Sequence, residues 1–195
     1  MTVIKEVKCP LCQFTNPTST MIKHYREMHS LQIDFETLEF ESFEAFKEWK
    51  IQMEKKTFAS FVNMHGFKQR KNVRKIKYTC HRSGNVTKKG KNIRALKTQG
   101  SNKINAYCPA EMNVEIHNGK CLVKFCKSHV GHRQDKDLGH LFLSTSDRQL
   151  IAAKIASEIP FQTILDDIRG SISNCHLDRL HLLTKKDLYN IINKC

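Results

Sequence analysis

Residues 106–132 read AYCPAEMNVEIHNGKCLVKFCKSHVGH, and this stretch decides the fold. Cys108, Ala110, Met112, Val114 and Ile116 fall on one side of an alternation whose other side holds Glu111, Asn113 and Glu115, the pattern of a half-buried β-strand. Asn118-Gly119 follows, a pair suited to a two-residue turn with positive φ at both positions, so the chain returns as a hairpin. Placing His117 opposite Lys120 sets the register. Ile116 then faces Cys121, Val114 faces Val123 and Met112 faces Phe125, and continuing the ladder puts Cys108 opposite His129 on the apolar face.

Directly opposed side chains have Cβ atoms ~5 Å apart, a separation that suits two ligands of one zinc ion. Cys121 lies beside the turn, too far from His129 at ~3.3 Å per residue to share that ion, and Cys126 falls on the opposite face. Both read as packing thiols. His132, just past the strand, is the natural partner of His129. A fourth ligand should come from another strand, and Ile76-Lys77-Tyr78-Thr79-Cys80 puts Ile76, Tyr78 and Cys80 on one face. The expected quartet is Cys80, Cys108, His129 and His132, with His81 or His140 as substitutes and with Lys75 and Lys77 on the outward side.

A second cysteine-histidine pattern lies upstream. Cys9-Pro-Leu-Cys12 followed by His24 and His29 gives C-x2-C-x11-H-x4-H, close to the spacing of a two-cysteine, two-histidine zinc finger. The cysteine pair fits a tight knuckle, and histidines five apart project from nearly the same helix face. Phe14 and Met21 supply a small apolar core, and Thr18 or Ser19 is expected to cap the helix after Pro17. Zinc would contribute on the order of 10 kcal/mol to so short a segment. The positions from which such helices read bases fall on Pro17, Thr20 and Lys23, of which only Lys23 offers a persuasive contact. Contact with phosphate or protein is the expectation for this finger.

Between Glu54 and Glu111 there is no carboxylate but fifteen lysines and arginines. Taking fifteen from the 33 basic residues of the chain leaves 18 against 19 acidic ones, so the net charge of +14 belongs almost entirely to this stretch. Charge confined in this way marks a polyanion-binding surface, nucleic-acid phosphate being the commonest partner, or else a basic linker. The expected contacts lie on Lys68, Arg70, Lys71, Arg74, Lys75 and Lys77, with looser phosphate contacts from Lys88, Lys89, Lys91 and Arg94 in the loop after Cys80. The chain has no apolar N-terminal signal segment and no run near the ~20 apolar residues of a membrane span. It reads as soluble and intracellular, where eight cysteines beside ten histidines serve as metal ligands or buried thiols rather than as a disulfide framework.

The run Tyr78-Thr79-Cys80, the later Cys108-Pro109-Ala110 and the strand leading to His129-Val130-Gly131-His132 resemble the WRKY and glial-cells-missing class of zinc-bound β-sheet domains, and especially its FLYWCH and FAR-RED-impaired-response branches. These occur in Mutator-like transposases and proteins derived from them. The resemblance covers residues 57–135. It implies a four- or five-stranded sheet clamped by a Cys-Cys-His-His zinc, with one sheet edge entering the DNA major groove. Two residues separate the histidines where many relatives have one, and the WRKY heptapeptide is absent, so the resemblance transfers no base-reading residue.

Ser42 to Lys56 reads as a helix with a stripe of Phe43, Phe46, Trp49 and Met53 that packs on the sheet. From Ser144 the pattern is helical: Thr145 or Ser146 caps a helix through Ala156, Pro160 begins another through Arg169, and Thr184 opens a third toward Asn193. The expected fold is α+β. It comprises a finger at 1–31, a linker helix at 32–56, the zinc-bound sheet domain at 57–135 and a helical segment at 144–195, helix-turn-helix-like or similar to the connector of Mutator-like transposases.

The leading functional expectation is a nuclear, non-enzymatic DNA-binding protein with two zinc ions. It would be a transposon-derived transcription factor or the recognition region of a transposase whose catalytic domain lies outside this chain. Double-stranded DNA is the expected partner, with proteins contacting the finger or C-terminal helices, and with no membrane and no small-molecule substrate. The alternatives are a protein-interaction module or an RNA-binding protein whose basic segment serves nuclear import.

Overall fold

The computed structural model describes residues 6–70, 72–87, 100–133, 138–172 and 177–193, with only the backbone of Arg70. The fold is α+β, with five α-helices and antiparallel sheets of two and five strands among the described residues. The chain forms two compact units, Met1–Asp137 and Leu138–Cys195.

In the first unit, β6 (Glu111–His117) and β7 (Lys120–Cys126) form the expected hairpin. Asn118 and Gly119 turn it with φ of +50° and +82°, and Ile116, Val114 and Met112 pair with Cys121, Val123 and Phe125. β5 (Val73–Cys80) joins the free side of β6, and β4 (Phe61–Arg70) joins β5. One strand was not anticipated. Within 32–56, read as a linker helix, residues Phe35–Phe40 form β3, which pairs with β7 from Phe35 opposite Cys126 to Phe40 opposite Cys121. The sheet order is β3-β7-β6-β5-β4.

α2 (Phe43–Thr57) covers one face of this sheet. The Ser42 hydroxyl caps it by accepting from the Ala45 amide at 3.1 Å, and Phe58 ends it at φ +50°. Its stripe of Phe43, Phe46, Trp49 and Met53 packs on Phe40, Tyr78 and Phe125 within one core that also holds Ile76, Met112, Val114 and Val123. Phe46 lies 5.7 Å from Phe40 and 5.8 Å from Tyr78 between ring centroids, and Trp49 meets Phe125 edge-on at 5.6 Å. Such pairs contribute about 0.5–1.5 kcal/mol each beyond the area they bury. The Glu54 carboxylate accepts from the Phe61 amide and from Lys50 Nζ, tying the end of α2 to the start of β4.

The opposite face is covered at one end by the finger: β1 (Glu6–Lys8), β2 (Thr15–Pro17) and α1 (Thr18–His29). Pro17 itself occupies the cap position without a side-chain bond. Thr18, one of the two expected caps, is already inside the helix, as is Ser19. Met21, Tyr25 and Ile33 pack with Tyr107, Cys126 and Val130, so the period-two alternation sends Cys126 to the finger and Cys121 to α2. Sheet, helix and finger form three layers.

The second unit contains α3 (Thr145–Ala156), α4 (Phe161–Gly170) and α5 (Lys185–Ile192), with single 3-10 turns at Leu138–His140 and Arg179–Leu182. Ser144 caps α3, one residue before the expected position, Pro160 precedes α4, and Thr184 and Asp187 form a reciprocal capping box on α5. Ile151, Ile164, Leu165, Leu188 and Ile191 make its core.

Candidate metal centres and a basic ribbon

The β1–β2 hairpin places Cys9 and Cys12 beside His24 and His29 of α1. Cys9 Sγ lies 3.5 Å from His29 Nε2, Cys12 Sγ 3.4 Å from His24 Nε2, and the two Nε2 atoms 3.2 Å apart. Four donors arranged tetrahedrally at ~2.0–2.3 Å from a common ion have edges of about 3.3–3.8 Å, so these spacings are those of a closed coordination shell. The Leu11 and Phe14 amides point at the two sulfurs at 3.4 and 3.5 Å, completing the knuckle, and Phe14 stacks on the His24 ring at 4.1 Å. Phe14 is thus a half-exposed lid on a ligand, while Met21 is fully buried.

The second cluster has the same form. Cys80 Sγ is 3.4 Å from His132 Nε2, Cys108 Sγ is 3.4 Å from His132 Nε2 and 3.6 Å from His129 Nδ1, and His129 Nδ1 is 3.3 Å from His132 Nε2. Each quartet could hold one metal ion, with all donor atoms of a quartet within 4.8 Å of one another. The sheet ladder stops at Glu111 and Cys126, so Cys108 and His129 are not a strand pair. They converge from segments beyond its end, where Cys80, last residue of β5, meets them.

Two proposed substitutes are accounted for. His81 is buried with Nδ1 3.1 Å from the Ser60 carbonyl, and His140 lies in the second unit; neither joins either cluster. Cys121 and Cys126 stand apart as buried free thiols, and burial pushes Cys121 up to about 11 and raises Cys126.

Hydrogen bonding from Cys108 holds the Cys80 thiol well below its ordinary value, with His129, His132 and His81 assisting, whereas burial pushes Cys108 up. A cation at the centre would balance both sulfurs as thiolates. Around them, Ser83 Oγ accepts from the Cys108 amide at 3.0 Å and the Ser83 carbonyl accepts from Lys103 at 2.7 Å. Phe61 lies edge-on to His129 at 5.8 Å. These supporting residues left no spacing signal in the sequence.

The two clusters meet. The Tyr107 amide donates to the Lys8 carbonyl at 2.8 Å, and Gly131, at φ +84°, lies so close to Pro10 that a Cβ there would stand 2.4 Å from Pro10 Cβ. Pro10 sits between two ligands of one cluster, and Gly131 between two of the other.

Of the expected nucleic-acid contacts, Lys68, Arg74, Lys75 and Lys77 lie exposed on the β4–β5 ribbon at the sheet edge, and the backbone of Arg70 belongs to β4. Lys75 pairs with Glu115, and Lys77 with Glu111 at 2.7 Å, so two of the lysines carry carboxylate neighbours from β6. Arg74 instead lies over the Phe67 ring, 5.0 Å from its centroid. Lys71, Lys88, Lys89, Lys91 and Arg94 lie outside the described residues. Among the described residues no helix is long and apolar enough to cross a membrane. Searched against protein-family models, curated proteins and solved structures, the chain matches none.

Proposed function

We propose that this is a nuclear, non-enzymatic DNA-binding protein that holds two zinc ions, either a transposon-derived transcription factor or the recognition region of a Mutator-like transposase. Zinc is the metal best suited to two thiolates and two imidazoles in a closed tetrahedral shell, because it has no geometric preference to offend and takes sulfur and nitrogen equally. When bound, it would fix the finger and clamp the end of the sheet; the residues that hold it are the two Cys-Cys-His-His quartets.

The observation that carries the DNA reading is the β4–β5 ribbon. It is a two-stranded sheet edge with exposed Lys68, Arg74, Lys75 and Lys77, drawn from the stretch of sequence that has no acidic residue, with Glu115 and Glu111 of the neighbouring strand pairing Lys75 and Lys77. The major groove admits a two-stranded ribbon, and cations along such an edge neutralise phosphates on either side. The five-stranded sheet with its clamp also agrees with the arrangement implied by the resemblance to FLYWCH-type domains.

Selection from a random duplex library, with metal present or chelated and at several salt concentrations, tests this reading. The expected outcome is a consensus site that disappears on chelation. Steep salt dependence without a consensus would reduce the function to general phosphate binding, retention of RNA in preference to duplex DNA would replace it with RNA binding, and failure to bind any nucleic acid would overturn it in favour of a protein-docking module.

A further inference from the structure

Phe67 occupies an unusual place in the ribbon. It pairs with Ile76, and directly opposed residues point to the same face, so a regular ladder would carry Phe67 toward the core that buries Ile76. The pairing is not regular. Residues 61–63 pair with 80–78, and pairing resumes only at Phe67 with Ile76, so residues 64–66 stand against Lys77 alone and Gly66 adopts φ +67°. Three residues against one add two to β4, which bends the strand but keeps the alternation, so Phe67 still shares the face of Ile76 and stands exposed because the core ends short of it. Beyond the shift Phe67 is 62% exposed and lies outside the core cluster, and Met64, inside the shift, is 59% exposed.

The side chains around Phe67 are chemically selective. Gln69 pairs with Arg74, so both share its face, and the Arg74 guanidinium stands over its ring. Lys68 on one strand, and Lys75 and Lys77 on the other, stand one position out of phase and take the other face. The ribbon therefore sorts its groups by face: an aromatic, an amide and a guanidinium on one side, and on the other three ammonium groups, of which Lys75 and Lys77 have carboxylate partners on β6. In the major groove an apolar side chain is matched by the thymine C5-methyl, a glutamine amide by adenine N6 and N7, and a guanidinium by guanine O6 and N7. Ammonium groups match phosphates.

Resting on the DNA-binding reading above, we propose that Phe67, Gln69 and Arg74 form the base-reading face of the ribbon. Phe67 packs on a thymine methyl, and its ring holds Arg74 in place for an adjoining guanine. Lys68 contributes affinity without sequence preference, and Lys75, already paired with Glu115, contributes less.

The test uses the full chain with its metals and the duplex recovered by selection. Replacing each thymine in turn by deoxyuridine removes one methyl group, and at one position the unmodified protein loses about fourfold in affinity, the value of one buried carbon. Phe67→Ala abolishes that thymine-to-deoxyuridine difference, and Phe67→Leu, which keeps an apolar contact, retains part of it. Arg74→Ala lowers discrimination at a guanine by about five- to 150-fold, whereas Lys68→Ala weakens all duplexes alike and lowers the salt slope. Equal loss across all duplexes for Phe67→Ala, or an unchanged consensus in both the Phe67 and Arg74 variants, overturns the inference while DNA binding stands. Failure of the unmodified chain to bind any duplex overturns the DNA-binding reading as well. Because Phe67 is exposed, unchanged thermal melting of its variants separates recognition from folding.

Discussion

The Tyr25 hydroxyl donates to the Tyr107 carbonyl at 2.6 Å, joining a residue between the histidines of the first cluster to the residue just before a cysteine of the second. Both phenols are buried, and burial raises both above the ordinary tyrosine value, so Tyr25 remains a protonated donor through the neutral range. Tyr25→Phe leaves a buried carbonyl without that donor. The expected cost is about 1–3 kcal/mol in urea denaturation, with faster chelator extraction of metal from both clusters; extraction unchanged at the second cluster would show that the bond does not couple them.

Gly131→Ala should be more severe. The substitution brings the new Cβ onto Pro10 and forces a left-handed backbone on alanine, at a combined cost of about 2–5 kcal/mol. Pro10→Gly in the same chain removes the atoms in collision and should restore part of the loss. A double-mutant cycle on melting temperature reads the coupling, and strictly additive effects would contradict the contact.

Metal content separates ligands from packing thiols. Cys80→Ser is expected to lower the stoichiometry in native mass spectrometry from two ions to one, whereas Cys121→Ser keeps two, because Cys121 is buried in the core under α2 and joins neither cluster. Two ions retained in Cys80→Ser would exclude that residue as a ligand.

Much of this was legible in the sequence where the deciding interaction is local. Asn118-Gly119 set the β6–β7 register because turn chemistry alone determines it, and the first quartet followed from knuckle spacing; the second was reached by extending a ladder that in fact ends at Glu111 and Cys126, short of Cys108 and His129. β3 escaped notice for a physical reason. Both of its faces are half covered, Phe35 by the finger side and Leu38 and Phe40 by the α2 side, so glutamate and apolar residues occur on each and no period emerges. The seam between the clusters was equally hidden, since Tyr25 and Tyr107 are 82 positions apart and neither carries a motif. The shift at 64–66 depends on how β4 meets β5, which no pattern in β4 alone specifies.

Alkaline pH tests the burial of Cys121. Its thiol is raised to about 11 in the folded chain against about 8.5 unfolded, so the folded state holds the proton more tightly. The sign follows from linkage: the stabilisation is whole below the unfolded value and declines as pH climbs toward about 11. Cys121→Ala should flatten the decline of denaturation midpoint over that window relative to the parent chain. Parallel profiles would mean the thiol is not buried as described.

At the other end of α2, Glu54→Ala removes the acceptor of the Phe61 amide and the partner of Lys50. The loss should be about 1–3 kcal/mol, with Glu54→Gln recovering part of it, because an amide oxygen still accepts from Phe61. A neutral Glu54→Ala would show that solvent replaces the carboxylate.

The break in pairing at 64–66 also bears on how this chain can change over generations. Beyond it, Ile76 is the ribbon position that the core buries, while Phe67, Lys68, Gln69, Arg74 and Lys75 stand outside both the core and the metal quartets. Substitutions there are expected to cost the fold little and to leave the metal ligands in place. Selection can therefore retune what the ribbon touches while the scaffold behind it stays under a separate constraint.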